Sequence, residues 1–461
     1  TNANDTLQNR IDYILGDASF EGNPYRARGH RLGAILNSSP VYVSYPSASY
    51  RNIWPAGSAE SIAEINGEGY GKYVMDNAER EGTIYVGAND GMLHAFSSPA
   101  PDCDFATDPT NPPCPYGDGG NERWAYVPRA VYANLGNLTD SRTFAFRPTA
   151  DASPRTRDVY FGGKWRTILV SGVGLGGRGV YALDISDQEN FAASDVLWEF
   201  HADSAVNSNC KSNSGSCQAT DLGYTVPQPN IARLANGKWV VLVPNGYFPD
   251  CDMATVPTGE PERSAKPRCT AIAAQAPSNY SALFVLDAQT GAMIAELKTP
   301  TNISGVKSYG LGSVVVGDYE NNQIDDVAFA GDLMGNLWRF DLTDANPANW
   351  KVTLAFKGKD NAGIQGVQPI TVMPRLFPDL RSSRFMIVFG TGKYLGPGDN
   401  DAGIPVQAIY GIQEQVDTNG NLGPATFAQL RQHAQRVVGI LHGHALGDFE
   451  FELPGLEVVF Q

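Results

Sequence analysis

The chain has 461 residues, 42% of them hydrophobic, with 49 glycines, 30 prolines and a formal charge of −15. That is enough apolar material for one large core or two smaller ones, and the acidic balance excludes the basic footprint of a nucleic-acid binder. No run of about 18 apolar residues occurs, so no segment is written to cross a membrane as a helix.

Residues 1–30 form a lead-in segment with one short helical candidate, DTLQNRIDYILGD, and a plain start that reads as a cut fragment or mature form. Strands dominate from there. AILNSSPVYVSY (34–45) is strand-like, and TIYVGANDGMLHAFSS (83–98) is a hairpin turned by Asn89, Asp90 and Gly91. RWAYVP (123–128) is followed by a helix-like RAVYANLGNL. RTILVSGVGLGGRGVYALDIS (166–186) reads strand, glycine turn, strand, and VLWEFHA (196–202) adds another. Hairpin pieces recur at 230–247, 282–297, 312–342 and 384–396, with QAIYGIQE at 407–414. Each unit runs to a small-residue turn and returns on a strand that often closes in a hydrophobic-Asp step, as in YALD, FVLD and RFD. Small antiparallel sheets repeated along a chain predict a β-propeller, because radial closure removes long exposed edges. The expected class is therefore all-β: a propeller of about seven antiparallel blades over 31–414, with loop and helix insertions. Residues 415–455 are an irregular C-terminal segment with one amphipathic helix candidate. The closing LEVVFQ (456–461) resembles a viral protease-tag remnant and is set apart.

Six cysteines fall as Cys103/Cys114, Cys210/Cys217 and Cys251/Cys269 in polar loops. Six allow fifteen connectivities, and sequential pairing closes short surface loops most simply. Three such staples imply an oxidising compartment. GVGLGG (172–177) has the glycine spacing of a dinucleotide loop, but a strand follows it where that motif needs a helix. His442 and His444 could share a metal, yet no third ligand accompanies them. No nucleophile elbow or evident acid–base pair is present, so no catalytic residue is assigned. VLDAQTGAMIAEL resembles the repeat of quinone-cofactor dehydrogenase propellers, although the adjacent cysteine pair of many such enzymes is absent.

Taken in order, RLGAILNSSPVYVSYPSASY, TIYVGANDGMLHAF, WRTILVSGVGLGGRGVYALDIS, VLWEF, LGYTVPQPNIARLANGKWVVLVPNGY and DDVAFAGDLMGNLWRFDL resemble the C-terminal domain of PilY/PilC-type proteins of bacterial type IV pili. The resemblance runs from about 31 to 396. It implies a modified, irregular β-propeller without catalysis, exported through the periplasm to the cell surface or pilus tip. The implied partners are minor pilins and a host-cell or abiotic surface, and the implied roles are pilus assembly, control of extension and retraction, and adhesion. A periplasmic quinoprotein dehydrogenase and a lectin-like glycan-binding module are the alternatives.

GDYENNQIDD (317–326) gathers Asp318, Glu320, Asn322 and Asp326 at alternating positions, with the Ile324 carbonyl between the last two. Counting Asp318 as position 1 puts these groups at 1, 3, 5, 7 and 9, the opening alternation of an EF-hand loop. Gln323 stands where that loop has glycine and Phe329 where it has its bidentate glutamate, so no helix–loop–helix is expected. The shorter acidic loop of the pilus family is the closer likeness, with Glu320 at its second place. Carboxylates crowded into one turn repel each other unless a hard cation neutralises them, and Ca²⁺ accepts 6–8 oxygens in a flexible shell. The expected ligand set is Asp318, Glu320, Asn322, the Ile324 carbonyl and Asp326, and the expected ion is Ca²⁺.

Overall fold

The computed structural model describes residues 3–98, 119–142, 144–248, 279–357, 367–379, 384–395, 399, 407–416, 422–423 and 456–460. Short strands punctuated by turns give sheets of four, each chain segment pairing with the one before it. The first sheet is β1 (Val41–Val43), β2 (Thr83–Gly87), β3 (Leu93–Ser97) and β4 (Glu122–Tyr126). The second is β5 (Arg155–Phe161), β6 (Lys164–Gly172), β7 (Gly179–Asp184) and β8 (Val196–His201). The third opens with a two-residue strand, β9 (Lys211–Ser212), then β10 (Asn230–Arg233), β11 (Trp239–Pro244), β12 (Ala282–Asp287) and β13 (Met293–Lys298). β10 to β13 are antiparallel in order, and β9 lies parallel on the far side of β13. The fourth is β14 (Leu311–Gly317), β15 (Val327–Asp332), β16 (Leu337–Asp341) and β17 (Lys351–Phe356). The fifth holds β18 (Arg375–Asp379), β19 (Arg384–Gly390) and β20 (Gln407–Gln413). A two-stranded ladder joins β21 (Gln415–Val416) to β22 (Leu422–Gly423), and β23 (Leu456–Phe460) runs parallel to β20. The segment set apart as a tag remnant thus carries a β-rich Val-Val-Phe stretch that completes the fifth sheet.

Among the described residues there are five such sheets, against about seven expected. Hairpins that count as separate units in the sequence combine: 230–247 and 282–297 are the two halves of one sheet. The strand expected over 34–45 is confined to Val41–Val43.

The sheets stack in chain order. Four buried clusters join the first to the second, the second to the third, the third to the fourth and the fourth to the fifth. The opening strands adjoin one another, β1 beside β5, β5 beside β10, β10 beside β14 and β14 beside β18, as the inner strands of a propeller do. Strands in the middle of this stack are covered on both faces. Every residue of β7, β11 and β15 is buried, which is why they read as continuous apolar runs instead of alternating.

The recurring hydrophobic-Asp step has a local cause. Asp184, Asp287 and Asp341 each end a strand and turn a carboxylate back on the following amides and hydroxyls. Such side-chain-to-backbone bonds mimic a turn and stop the strand. The GVGLGG stretch is a hairpin connection between β6 and β7. A Cβ on Gly176 would lie 1.8 Å from the Thr149 carbonyl oxygen, so backbone packing, and no phosphate, accounts for that glycine.

Among the described residues, four α-helices decorate the sheets. α1 (Leu7–Ile14) and α4 (Tyr132–Thr139) fall where the sequence predicts them. α2 (Ala59–Ile65) and α3 (Tyr70–Asp76) were not foreseen, being two turns each without a sustained period. α2 starts at Ser58, whose hydroxyl accepts the Ser61 amide at 3.2 Å. Inserted between β1 and β2, it reaches across to the third sheet. Glu60 on α2 takes Arg233 in a two-point pair at 2.7 and 3.0 Å, and Trp239 Nε1 donates to it at 2.9 Å. Glu60 is 1% exposed and Arg233 2%.

Cys210 and Cys217 form a disulfide, as predicted. The other two predicted pairs, and His442 with His444, lie outside the described residues. The bridged loop contains β9, so the staple holds a strand against β13. Replacing both Cys210 and Cys217 by serine is expected to cost about 2–3 kcal/mol by freeing an eight-residue loop in the unfolded chain. Urea midpoints of the two proteins measure it, and equal midpoints would show that the staple adds nothing.

Candidate functional site

The loop 318–326 joins β14 to β15, and both strands are held in the buried fourth sheet. Its ends are pinned: the Asp326 amide donates to the Gly317 carbonyl at 2.8 Å, and the Leu342 amide to the Asp326 carbonyl at 2.8 Å. Within the loop the acidic groups turn inward on the backbone. Asp318 accepts the amides of Glu320 at 3.1 Å and Gln323 at 2.6 Å. Asn322 Oδ1 accepts the Ile324 amide at 2.8 Å, and its Nδ2 donates to Glu320 at 3.0 Å. Asp326 Oδ2 accepts the Tyr319 amide at 2.8 Å.

Two non-glycine residues here adopt the left-handed region, Asn321 at φ 53° and Gln323 at φ 74°. Gln323 is the residue that replaces the expected glycine, and it takes the conformation a glycine would take. That costs an ordinary side chain about 1–2 kcal/mol. Arg51 offsets it: its backbone amide donates to the Gln323 side-chain oxygen, its guanidinium to the Asn321 carbonyl, and Gln323 Nε2 returns a bond to the Arg51 carbonyl at 2.9 Å.

The electrostatics match the repulsion inferred from sequence. Burial pushes the Asp326 carboxyl up to about 6; the Tyr319 amide opposes this, while the charges of Asp318, Glu320 and Asp325 reinforce it. The predicted donors therefore share one field, and Glu320, Asn322, Ile324 and Asp326 line one cavity of about 600 Å³. They do not converge on a point: among the described residues no three His, Cys, Asp or Glu side chains form a metal-holding group. The donor set is all oxygen and net acidic, which fits a hard cation. Asp318 is committed to backbone amides in this arrangement, so occupancy requires a change in its bonds.

Two residues that the sequence did not single out complete the surroundings. Asp325, next to the predicted ligand, turns away from the loop. It accepts the Arg233 amide at 2.8 Å and Arg157 Nη1 at 3.0 Å, linking the fourth sheet to the third and second. Tyr319 donates to Glu414 at 2.6 Å and stacks on Phe385, which ties the loop to the fifth sheet. Adjacent acidic residues carry no sequence signal for which one faces inward; only the strand register at β15 separates Asp325 from Asp326.

The family model described as the PilY1 beta-propeller domain matches residues 32–255 and 268–437. The chain belongs to the PilY1 β-propeller domain family. Among relatives, the type IV pilus biogenesis factor PilY1 of Pseudomonas aeruginosa strain PAK is 32% identical over 457 residues, covering 93% of this chain and 32% of that protein. A PilY1 homolog of Xylella fastidiosa strain Temecula1 is 28% identical over 429 residues, covering 87% of this chain and 24% of its own length. The chain thus spans about a third or less of these curated relatives. The crystal structure of the Pseudomonas aeruginosa PilY1 C-terminal domain superposes with a TM-score of 0.58 at 29% identity, covering 84% of this chain and 68% of that one. The resemblance to pilus-associated propellers and the all-β propeller class read from the sequence both hold.

Proposed function

We propose that this chain is the propeller portion of a type IV pilus biogenesis factor. It acts outside the cytoplasm at the pilus tip, where it engages minor pilins and supports assembly, extension against retraction, and attachment to host-cell or abiotic surfaces. The observation that carries this reading is the family match across most of the chain, together with relatives named for pilus biogenesis. Those names speak for assembly and not for catalysis, so the dehydrogenase alternative has nothing in particular to favour it. No helix among the described residues is long and apolar enough to cross a membrane.

The reading includes Ca²⁺ at the 318–326 loop, held by Asp318, Glu320, Asn322, the Ile324 carbonyl and Asp326. A bound divalent cation supplies the positive charge that lets these carboxylates stay ionised at close range. The chain's own part is to fix the loop ends on β14 and β15 and to brace the loop through Arg51. Because Tyr319 and Asp325 lead from it to neighbouring sheets, occupancy is a means of adjusting a partner surface.

Two measurements test this. In a piliated bacterium lacking its own factor, the full-length protein that carries this propeller should restore surface pili, and the same protein with the propeller deleted should not; restoration without the propeller would refute the assembly role. Calorimetric titration of the chain with Ca²⁺ should show saturable binding that Asp318→Ala and Asp326→Ala each abolish, with the β-sheet circular dichroism unchanged. Binding that survives both substitutions would remove this loop as the cation site.

A further inference from the structure

A cavity of about 760 Å³ opens where the inner strands β1, β5, β10 and β14 approach one another. Its lining is unlike the rest of this acidic protein, because Arg80, Arg155 and Arg157 all contribute to it. Two carboxylates, Asp158 and Asp325, also face it, and both are committed. Asp158 accepts Tyr70 Oη at 2.7 Å and Thr167 Oγ1 at 2.7 Å, and Asp325 accepts Arg157 and the Arg233 amide. Arg157 is further held by Tyr50 Oη at 2.8 Å. Arg155 is different. It is half-buried on β5, and its side chain makes no hydrogen bond or ion pair among the described residues. Arg157 and Arg375 stand close enough to add to burial in disfavouring its charge. Arg80 donates from Nε to the Ser44 carbonyl at 2.5 Å and from Nη1 to Thr167 Oγ1 at 3.1 Å and the Ser186 carbonyl at 3.4 Å, and keeps only Nη2 buried without a partner.

An unpaired guanidinium beside two others is costly unless an anion completes the set, and its planar fork matches a carboxylate in two-point geometry. The remaining lining indicates what carries that carboxylate. Tyr42 and Tyr45 are 49% and 50% exposed at this cavity, offering flat apolar faces with polar tips. Ser44, Ser47 and Thr156 add short polar side chains suited to hydroxyl groups. Only Val43, Ala48 and Val316 are aliphatic, too few to give a peptide the buried anchors on which its recognition leans. We propose that this cavity binds an acidic saccharide, its sugar carboxylate taken by Arg155 with Arg80 nearby and a ring face resting on Tyr45. The site supplies a ligand class for the adhesive part of the function proposed above and rests on that reading only for its biological setting.

The test is calorimetry on the chain with oligomers of galacturonate, glucuronate and sialic acid, against matched neutral oligosaccharides, an oligoglutamate peptide and inorganic phosphate. At least one acidic saccharide should bind saturably, and the neutral counterparts at least tenfold more weakly. Arg155→Gln should weaken binding by tenfold or more, Arg155→Lys should restore it only in part, and Tyr45→Ala should weaken it several-fold. Because Arg155 has no partner to lose, Arg155→Gln should melt no lower than the parent, which separates a lost ligand contact from misfolding. Absence of binding to every acidic saccharide, equal binding of neutral ones, or tighter binding of the peptide or of phosphate would each overturn the proposal. Calcium binding by the 318–326 loop is read in a separate titration, so the loss of either property leaves the other standing.

Discussion

Glu60→Ala is expected to destabilise the protein by about 3–5 kcal/mol, since it strands a guanidinium that is 2% exposed. The two-point pair with Arg233 and the Trp239 indole bond all converge on one carboxylate, while the bond from Arg233 Nη1 to the Leu234 carbonyl goes to a neutral acceptor. Burial pushes that carboxyl up, but Arg233's hydrogen bonds and charge outweigh burial and hold it below the ordinary carboxylate range. The pair's contribution is therefore present above the unfolded pKa and lost as pH falls through the folded one. Glu60→Gln should cost less, keeping one acceptor for Trp239 while leaving the Arg233 charge uncompensated. Replacing the pair together, Glu60→Met with Arg233→Leu, should lie close to the parent, because an apolar pair of similar size avoids the desolvation of two ions. Denaturant midpoints of the three variants decide it: a cost below about 1 kcal/mol for Glu60→Ala would mean that water reaches Arg233 and that α2 is not fastened there.

The second large effect is a pH dependence centred on Glu296. This side chain is fully buried on β13, with Oε2 accepting the Gln218 amide at 2.7 Å and Oε1 buried without a partner. Lys298 reaches both Asp221 at 3.1 Å and Glu296 at 3.5 Å, so one cation faces two carboxylates. Burial first, and then Asp221, push the Glu296 carboxyl up to about 8 against the pull of Lys298. A folded pKa above the unfolded value gives a contribution fully present below about 4.5 and lost as pH rises through about 8. Stability should therefore decline across that window, by at most roughly 1.4 kcal/mol per pH unit from this group. Glu296→Gln removes the titration while keeping the shape. Its unfolding midpoint should match the parent near pH 5 and exceed it near pH 8. Parallel pH profiles for the two proteins would show that Glu296 is ionised in the folded state.

Much of the architecture was legible because its causes are local. Hairpin turns such as Asn89-Asp90-Gly91 and strand-ending aspartates such as Asp287 act through residues two or three positions away, and sequence displays that spacing directly. The acidic β14–β15 loop was legible for the same reason, whereas Gln323, read only as a departure from the glycine of an EF-hand, takes a glycine's conformation that the sequence did not announce. What stayed hidden depends on contacts between distant segments. Nothing around Glu60 announces a partner 173 positions away, and nothing in RTRDV shows that Arg155 is left unpaired while Arg157 two residues on is fully engaged. The short helices α2 and α3 exist because the third sheet and the aromatic cluster of Trp54, Tyr70 and Trp165 hold them, and neither has the length to declare itself. The number of sheets was hidden too, because whether two hairpins share a ladder is decided by pairing across an insertion.

Stacking in chain order has a mechanical consequence. A row of sheets that touch only their neighbours would peel from one end under load, each releasing before the next is stressed. Here several ties skip a sheet: Glu60 fastens an insertion of the first to the third, Arg157 joins the second to the fourth, and Arg51 grips the loop of the fourth from the first sheet's insertion. Tension entering through the early part of the chain is thereby shared among four sheets. Rupture then needs several bonds to fail at once.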